Sequence, residues 1–302
     1  MTRCRQGLRQ LSILAGAVAL AVFAGSAAPA QAMDWKSGSR SASNVPASAF
    51  ATWRGAPLGV VSGWIEWKKG WTGMYDYASG GNPRSLRAMS SNVTLAHGLF
   101  PADGNLTDCA AGSYDDEQRN VTSRLAANGV GDAEIRLGWE ASGDWFPWSA
   151  AGRPPQEWKN CFRRVANAMK SVAPNLRIGW FMAKKGRVDV RTIYPYNAPI
   201  TNIGVSHYDD EQARFGYETY LGGPWGLRAW VEFARSKGKK FAIGEWGVGR
   251  IGDNPAYVQN MHEFFVWAGD SLAHEAYFNN SEYQLYPVGS LPESSERYQL
   301  LF

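Results

Sequence analysis

From residue 92 onward, two spacings of apolar residues alternate along the chain. Short runs rich in β-branched and apolar residues read as strands: 92–97, 133–139, 176–182, 203–208, 240–245 and 273–278. Between them lie segments with helical spacing. The clearest runs from Gln156 to Val172, where Trp158, Cys161, Phe162, Val165, Ala166, Met169 and Val172 fall on one face and Pro174 closes the segment. Further helices are expected from Asp115 or Asp116 to Asn128, ended by Gly129, from Trp225 to Ser236, and from Pro255 to Ala268, with Asn254 as cap. Trp158 and Trp230 sit on helix faces and belong to the core.

The first third is less regular. Pro57–Gly63 is a strand candidate, and Met74–Met89 must hold one strand or helix. Residues 33–52 are rich in Ser and Ala without periodicity and read as a flexible lead-in. Strands joined by helical crossovers imply a parallel sheet. Seven or eight strands in this length favour an α/β fold of the (β/α)8 TIM-barrel type, as one domain over residues 53–302. A doubly wound open sheet is the alternative, but no G-x-G-x-x-G follows the first strand, which argues against a dinucleotide fold.

The first 32 residues have the form of an export signal. Arg3, Arg5 and Arg9 precede an apolar run from Leu11 to Ala24, and Ala30-Gln31-Ala32 offers a small-x-small cleavage site after Ala32. A secreted or periplasmic chain with no membrane span after cleavage is therefore expected. The signal also changes the charge. The chain has 31 basic and 27 acidic residues; removing three Arg leaves 28 against 27, or +1, so nothing favours nucleic acid as a partner. Cys109 and Cys161 remain after cleavage and allow one disulfide, although Cys161 reads equally well as a buried apolar residue of its helix. The four His are scattered, and no His/Cys cluster has metal-ligand spacing, so neither a catalytic metal nor a cofactor is expected. A monomer is expected.

Two strands end in an acid beside Trp. Residues 134–140 lead to Glu140, followed by a Gly- and Pro-broken loop with Trp145 and Trp148. Residues 240–247 lead to Glu245 and Trp246. In a barrel of parallel strands, functional groups gather at the C-terminal strand ends. Two carboxyls facing one another across a groove can cleave a glycosidic bond, one as proton donor and the other as nucleophile or as base toward water. Indole rings stack on sugar faces, and Trp139 and Trp145 would desolvate the acid and raise its pKa. The 14 Trp of the chain support such a groove, because several adjoin Gly, Pro and acids instead of lying on apolar faces. Trp64, Trp67, Trp139, Trp145, Trp148 and Trp246 are thus candidate sugar contacts. Tyr208 could hold the nucleophile through its hydroxyl, and His207 beside it is a candidate contact or a structural hydrogen-bonder.

These residues resemble glycoside hydrolase family 26, the β-mannanases and related β-glucanases. The likeness lies in Tyr114-Asp115, in Ile135-Arg136-Leu137-x-x-Glu140, in Gly143-Asp144-Trp145-x-x-Trp148, in Tyr194-Pro195 with Ile203-Gly204-Val205-x-x-Tyr208, and in Ala242–Gly247. It covers about residues 90–280. It implies a retaining endo-acting hydrolase of β-linked polysaccharide, with Glu140 as acid/base and Glu245 as nucleophile. The chain departs from the family at Trp139, where His usually precedes the acid, and at Ser142-Gly143, which replaces Asn-Gly.

Lys68, Lys69, Lys184, Lys185, Arg187 and Arg250 fall in loops expected at the barrel mouth. Their charge would suit an anionic polysaccharide. The rival readings are a barrel that binds carbohydrate without turnover, an inverting hydrolase, and a lyase that uses Tyr208 and His207 on a uronate polymer.

Overall fold

The computed structural model describes residue 1, residue 33 and residues 35–41, 47–184, 186–209, 221–222, 225–249 and 251–302. The export signal and the cations Lys185 and Arg250 lie outside the described residues. Eight parallel strands close into a barrel in chain order: β1 (Lys36–Ser41), β2 (Val60–Trp64), β3 (Val93–His97), β4 (Glu134–Leu137), β5 (Arg177–Ala183), β6 (Ile200–Tyr208), β7 (Lys240–Gly247) and β8 (Leu272–Asn279). β8 pairs with β1 over six residues and completes the ring.

Helices cover the outside: α1 (Ala47–Arg54), α2 (Gly70–Ser79), α3 (Gly81–Met89), α4 (Leu106–Ala111), α5 (Asp115–Leu125), α6 (Pro155–Val172), α7 (Leu227–Ser236), α8 (Pro255–Ala268) and α9 (Pro292–Leu301). The long helix lies within a residue of its expected start and buries the expected face, Trp158, Phe162, Val165 and Met169 included. Trp230 is buried on α7. Asn254 caps α8 by accepting from the Tyr257 amide at 3.1 Å. A disulfide joins Cys109 of α4 to Cys161 of α6, with Cα atoms 5.0 Å apart. Among the described residues, no helix is long and apolar enough to cross a membrane.

One expectation needs correction, and the element left open over residues 74–89 is helical. The flexible lead-in supplies the first barrel strand and the start of α1. β1 reads Lys-Ser-Gly-Ser-Arg-Ser, so hydrophobic periodicity is silent there. Small residues are what the crowded seam admits: a Cβ on Gly38 would lie 1.8 Å from the Val60 carbonyl oxygen. Conversely, residues 74–89 hold no strand. They belong to α2 and α3, which Gly80 separates. The strand expected first is therefore β2. Glu140 thereby follows the fourth strand and Glu245 lies near the end of the seventh.

The barrel interior is polar toward its base. The Glu134 carboxylate meets His274 Nε2 at 2.5 Å and accepts from Asn202 Nδ2 at 2.5 Å. Burial alone would raise Glu134, but the charge of His274, its hydrogen bond, Arg177 and Asn202 together hold it down to about 2. Above this layer Phe181 stacks on His274, with centroids 6.1 Å apart, and Arg136 lies fully buried nearer the mouth.

Candidate active site

The two acids reach the cleft by different routes. β4 leaves the ladder after Leu137. Gly138 then turns with φ +57°, and Glu140 itself has φ +57°, a conformation uncommon for any residue with a Cβ. The turn is pinned by Gly138 N–H to the His97 carbonyl at 2.7 Å and by Glu140 N–H to the Phe181 carbonyl at 2.9 Å. Glu245 stays within β7, but on a bulge. β6 pairs Val205 with Ile243 and then Ser206 with Glu245, so β7 carries one extra residue. Consecutive residues Gly244 and Glu245 thereby both meet Arg136. A Cβ on Gly244 would lie 2.8 Å from the Arg136 side chain, so only glycine lets the guanidinium through to the acid.

Their surroundings differ as sharply. Glu245 Oε1 accepts from Arg136 Nη1 at 2.6 Å and from Trp64 Nε1 at 2.8 Å; Oε2 accepts from the Tyr208 hydroxyl at 2.9 Å. Arg136 is itself held by Ser62 at 2.8 Å. Burial and the charges of Glu245 and Glu140 push Tyr208 well above the ordinary phenol range, so its O–H remains a donor. Among the described residues, no cation is shown in hydrogen-bond contact with Glu140. Burial first, then the charge of Glu245, push its carboxyl up to about 7, against hydrogen bonds from Ser206 and Trp145. Trp145 donates its indole N–H to Glu140 Oε2 at 2.9 Å. One acid is therefore held by three donors, and the other can carry a proton near neutral pH.

Both acids line one cleft of about 620 Å³, whose walls include Arg40, Trp64, Trp67, Lys68, Tyr77, Trp139, Phe146, Tyr208, Phe278 and Tyr283.

No protein-family model and no curated protein matches the sequence. Solved structures do. The modular endo-β-1,4-mannanase of Cellulomonas fimi, of glycoside hydrolase family 26, superposes with a TM-score of 0.63 at 17% identity, over 88% of this chain and 69% of that one. The catalytic domain of the family 26 endo-β-1,4-mannanase of Bacillus sp. JAMB-750 gives 0.65 at 13% identity, over 88% and 84%. A family 26 β-mannanase of Bacteroides ovatus gives 0.58 at 14% identity, over 82% and 80%. This chain shares their fold.

Of the aromatic residues expected to touch sugar, Trp64, Trp67, Trp139 and Tyr208 line the cleft. Trp145 stands half-exposed at its edge, over the acid. The other three do not reach it. Trp148 is fully buried behind the wall, 4.6 Å from Trp139 and 4.8 Å from Phe146 between centroids, and its indole N–H donates to the Trp139 carbonyl at 3.0 Å. It supports the platform without forming it. Trp246 points outward between barrel and helices, because alternation resumes after the bulge. It is fully buried against Tyr277, Phe265 and Phe302, and its N–H donates to Glu275 at 2.5 Å. His207 also faces outward, toward Tyr257. Burial and the Lys184 charge hold its imidazole well below the ordinary range.

Among the described residues of the expected cation ring, Lys68 alone lines the cleft. Arg187 is paired with Asp144 at 3.0 Å. Sequence reasoning missed Arg40, Ser206, Phe146, Tyr77, Phe278 and Tyr283, and gave Arg136 no role. Arg136 did leave a signal: a charge between Ile135 and Leu137 in a strand buried on every residue must face the lumen and find a partner. Arg40 left none, since its strand was unreadable.

Proposed function

We propose that this chain is an exported, retaining endo-β-glycosidase that hydrolyses β-linked polysaccharide by double displacement. The observation that carries this reading is the contrast between Glu245, held by Arg136, Trp64 and Tyr208, and Glu140, raised to about 7 in the same cleft. Glu140 protonates the leaving glycosidic oxygen while Glu245 attacks the anomeric carbon and forms a glycosyl ester. Esterification removes the Glu245 charge, the second cause of the raised Glu140 pKa. The Glu140 carboxyl then falls toward the ordinary range and can take a proton from the incoming water. Water attack restores both groups and the original anomeric configuration.

The likeness of fold to β-mannanases supports a neutral or substituted β-linked backbone as substrate. The Cys109–Cys161 disulfide supports an oxidising compartment and, with the leader, export. The lyase reading loses support because His207 faces Tyr257, away from the cleft, and burial and the Lys184 charge hold its imidazole well below the ordinary range.

The test is NMR of the first product released from a panel of β-mannans and β-glucans. Initial appearance of the β-anomer is expected. Initial α-anomer would mean an inverting enzyme, ultraviolet-absorbing unsaturated ends would mean a lyase, and binding without products would leave a carbohydrate-binding barrel.

A further inference from the structure

Along β6 every second residue faces the lumen: Asn202, Gly204, Ser206 and Tyr208. Two of these already serve carboxylates. Asn202 donates to Glu134 at 2.5 Å, and the Tyr208 hydroxyl donates to Glu245 at 2.9 Å. Gly204 leaves its place to Phe181, whose ring would lie 2.3 Å from a Cβ there. Ser206 comes between Gly204 and Tyr208 on the same face and is buried.

The register sets Ser206 between the two acids. It pairs with Glu245 of β7 at the bulge and with Ala183 of β5 on the other side. Two residues before Ala183, the Phe181 carbonyl accepts from the Glu140 amide at 2.9 Å. The Ser206 backbone is pinned in turn, because its carbonyl accepts from the Lys184 amide at 3.0 Å. From this place its hydroxyl donates to the Glu140 carboxylate. Trp145 also donates to that carboxylate, but from a half-exposed position on a loop. Of the two donors, Ser206 is the one held in the barrel ladder.

Ser206 and Tyr208 lie two residues apart, about 6.6 Å along a strand. One strand thus carries a donor for each carboxyl of a pair that retention requires to stand about 5–5.5 Å apart. A hydroxyl donor favours the carboxylate, the form in which Glu140 takes the proton of the attacking water. The groups that face Glu140 from the other elements act independently of Ser206. Burial and the charge of Glu245 on β7 raise its carboxyl, Arg136 of β4 lowers it, and Tyr208 stays protonated.

We propose that Ser206 is the positioning residue of Glu140, the counterpart on β6 of Tyr208, which holds Glu245. This inference rests on the glycosidase reading for the roles of the two acids.

The experiment follows the glutamate carboxyl carbons of the full chain by carbon-13 NMR across pH, with Glu140 assigned by the signal lost in Glu140→Gln. The wild-type midpoint is expected at about 7. Ser206→Ala should raise it by about half a unit to one unit, the size of one hydrogen bond to the charged form. Ser206→Thr, which keeps the hydroxyl, should stay at the wild-type midpoint. Asn202→Ser, a change on the same face of the same strand but at a residue bonded to Glu134, should also leave it unmoved. An unmoved or lowered midpoint in Ser206→Ala, a rise as large in Ser206→Thr, or a rise as large in Asn202→Ser overturns the proposal. Circular dichroism separates a titration change from loss of fold, and if Ser206→Ala misfolds, Ser206→Cys, a weak donor of similar size, is read in its place with the same expected direction. The glycosidase reading fails separately, by absence of turnover of β-mannan and β-glucan by the wild-type chain, whatever the midpoints.

Discussion

The ends of β4 and β7 carry nearly the same sequence signature, an apolar run, an acid and an adjacent Trp, yet the structure uses them differently. At β4 the ladder stops at Leu137, and two residues with positive φ swing Trp139 and Glu140 together into the cleft. At β7 the ladder continues through a bulge, so Glu245 turns in and Trp246 turns out into the helical layer. The aromatic residue beside the acid therefore reaches the cleft only where backbone alternation has ended. The acids diverge with it: a guanidinium anchors one, and burial and the first acid's charge raise the pKa of its counterpart.

That contrast can be broken at several points. The largest effect is expected from Glu245→Gln, which removes the nucleophile and should lower kcat by on the order of 10⁴-fold or more, with substrate binding retained. Glu140→Gln should lower it by about 10²–10⁴-fold, and less for substrates whose leaving group needs no proton; equal losses for good and poor leaving groups would remove Glu140 as the acid. Trp246→Ala should cost about 3–5 kcal/mol of stability by emptying a buried site, read in a denaturant melt, and leave oligosaccharide affinity nearly as it was. Trp145→Ala should do the reverse.

The pH dependence sharpens the same comparison. The protonated form of Glu140 starts the reaction, so kcat/KM should fall as pH rises through about 7. The Trp145 hydrogen bond favours the carboxylate, so Trp145→Phe should move that limb upward; movement downward would contradict the assignment. Glu134, far from the cleft, titrates in the opposite sense. Its folded-state pKa is held down to about 2, so it stabilises the fold above the ordinary carboxylate range and loses that contribution between about 4.5 and about 2. Glu134→Gln should flatten acid denaturation across that window without moving the limb near 7.

Periodicity carried most of the barrel. Strands β3 to β8 and the long helix were legible because each buries an apolar face of fixed period. β1 was not, since Ser37, Gly38 and Ser39 are buried by close backbone approach and carry no hydrophobic signal. That Glu140 and Glu245 share a cleft was legible because two acids recur in one context. Which neighbours face the cleft was not: the bulge at Gly244 and the turn at Glu140 are backbone events that reverse side-chain direction without altering composition. That is why Trp246 is buried behind the barrel instead of lining the cleft, and Arg40 was lost together with its strand.

The pairing of the first strand with the last has a consequence for biogenesis. While the chain is being made, Lys36–Ser41 has no neighbour on one edge until residues 272–279 have been synthesised. Ring closure therefore waits on the synthesis of the last barrel strand. A protein destined to be threaded through a translocon before folding, as the export proposed above requires, gains by postponing ring closure to its last strand.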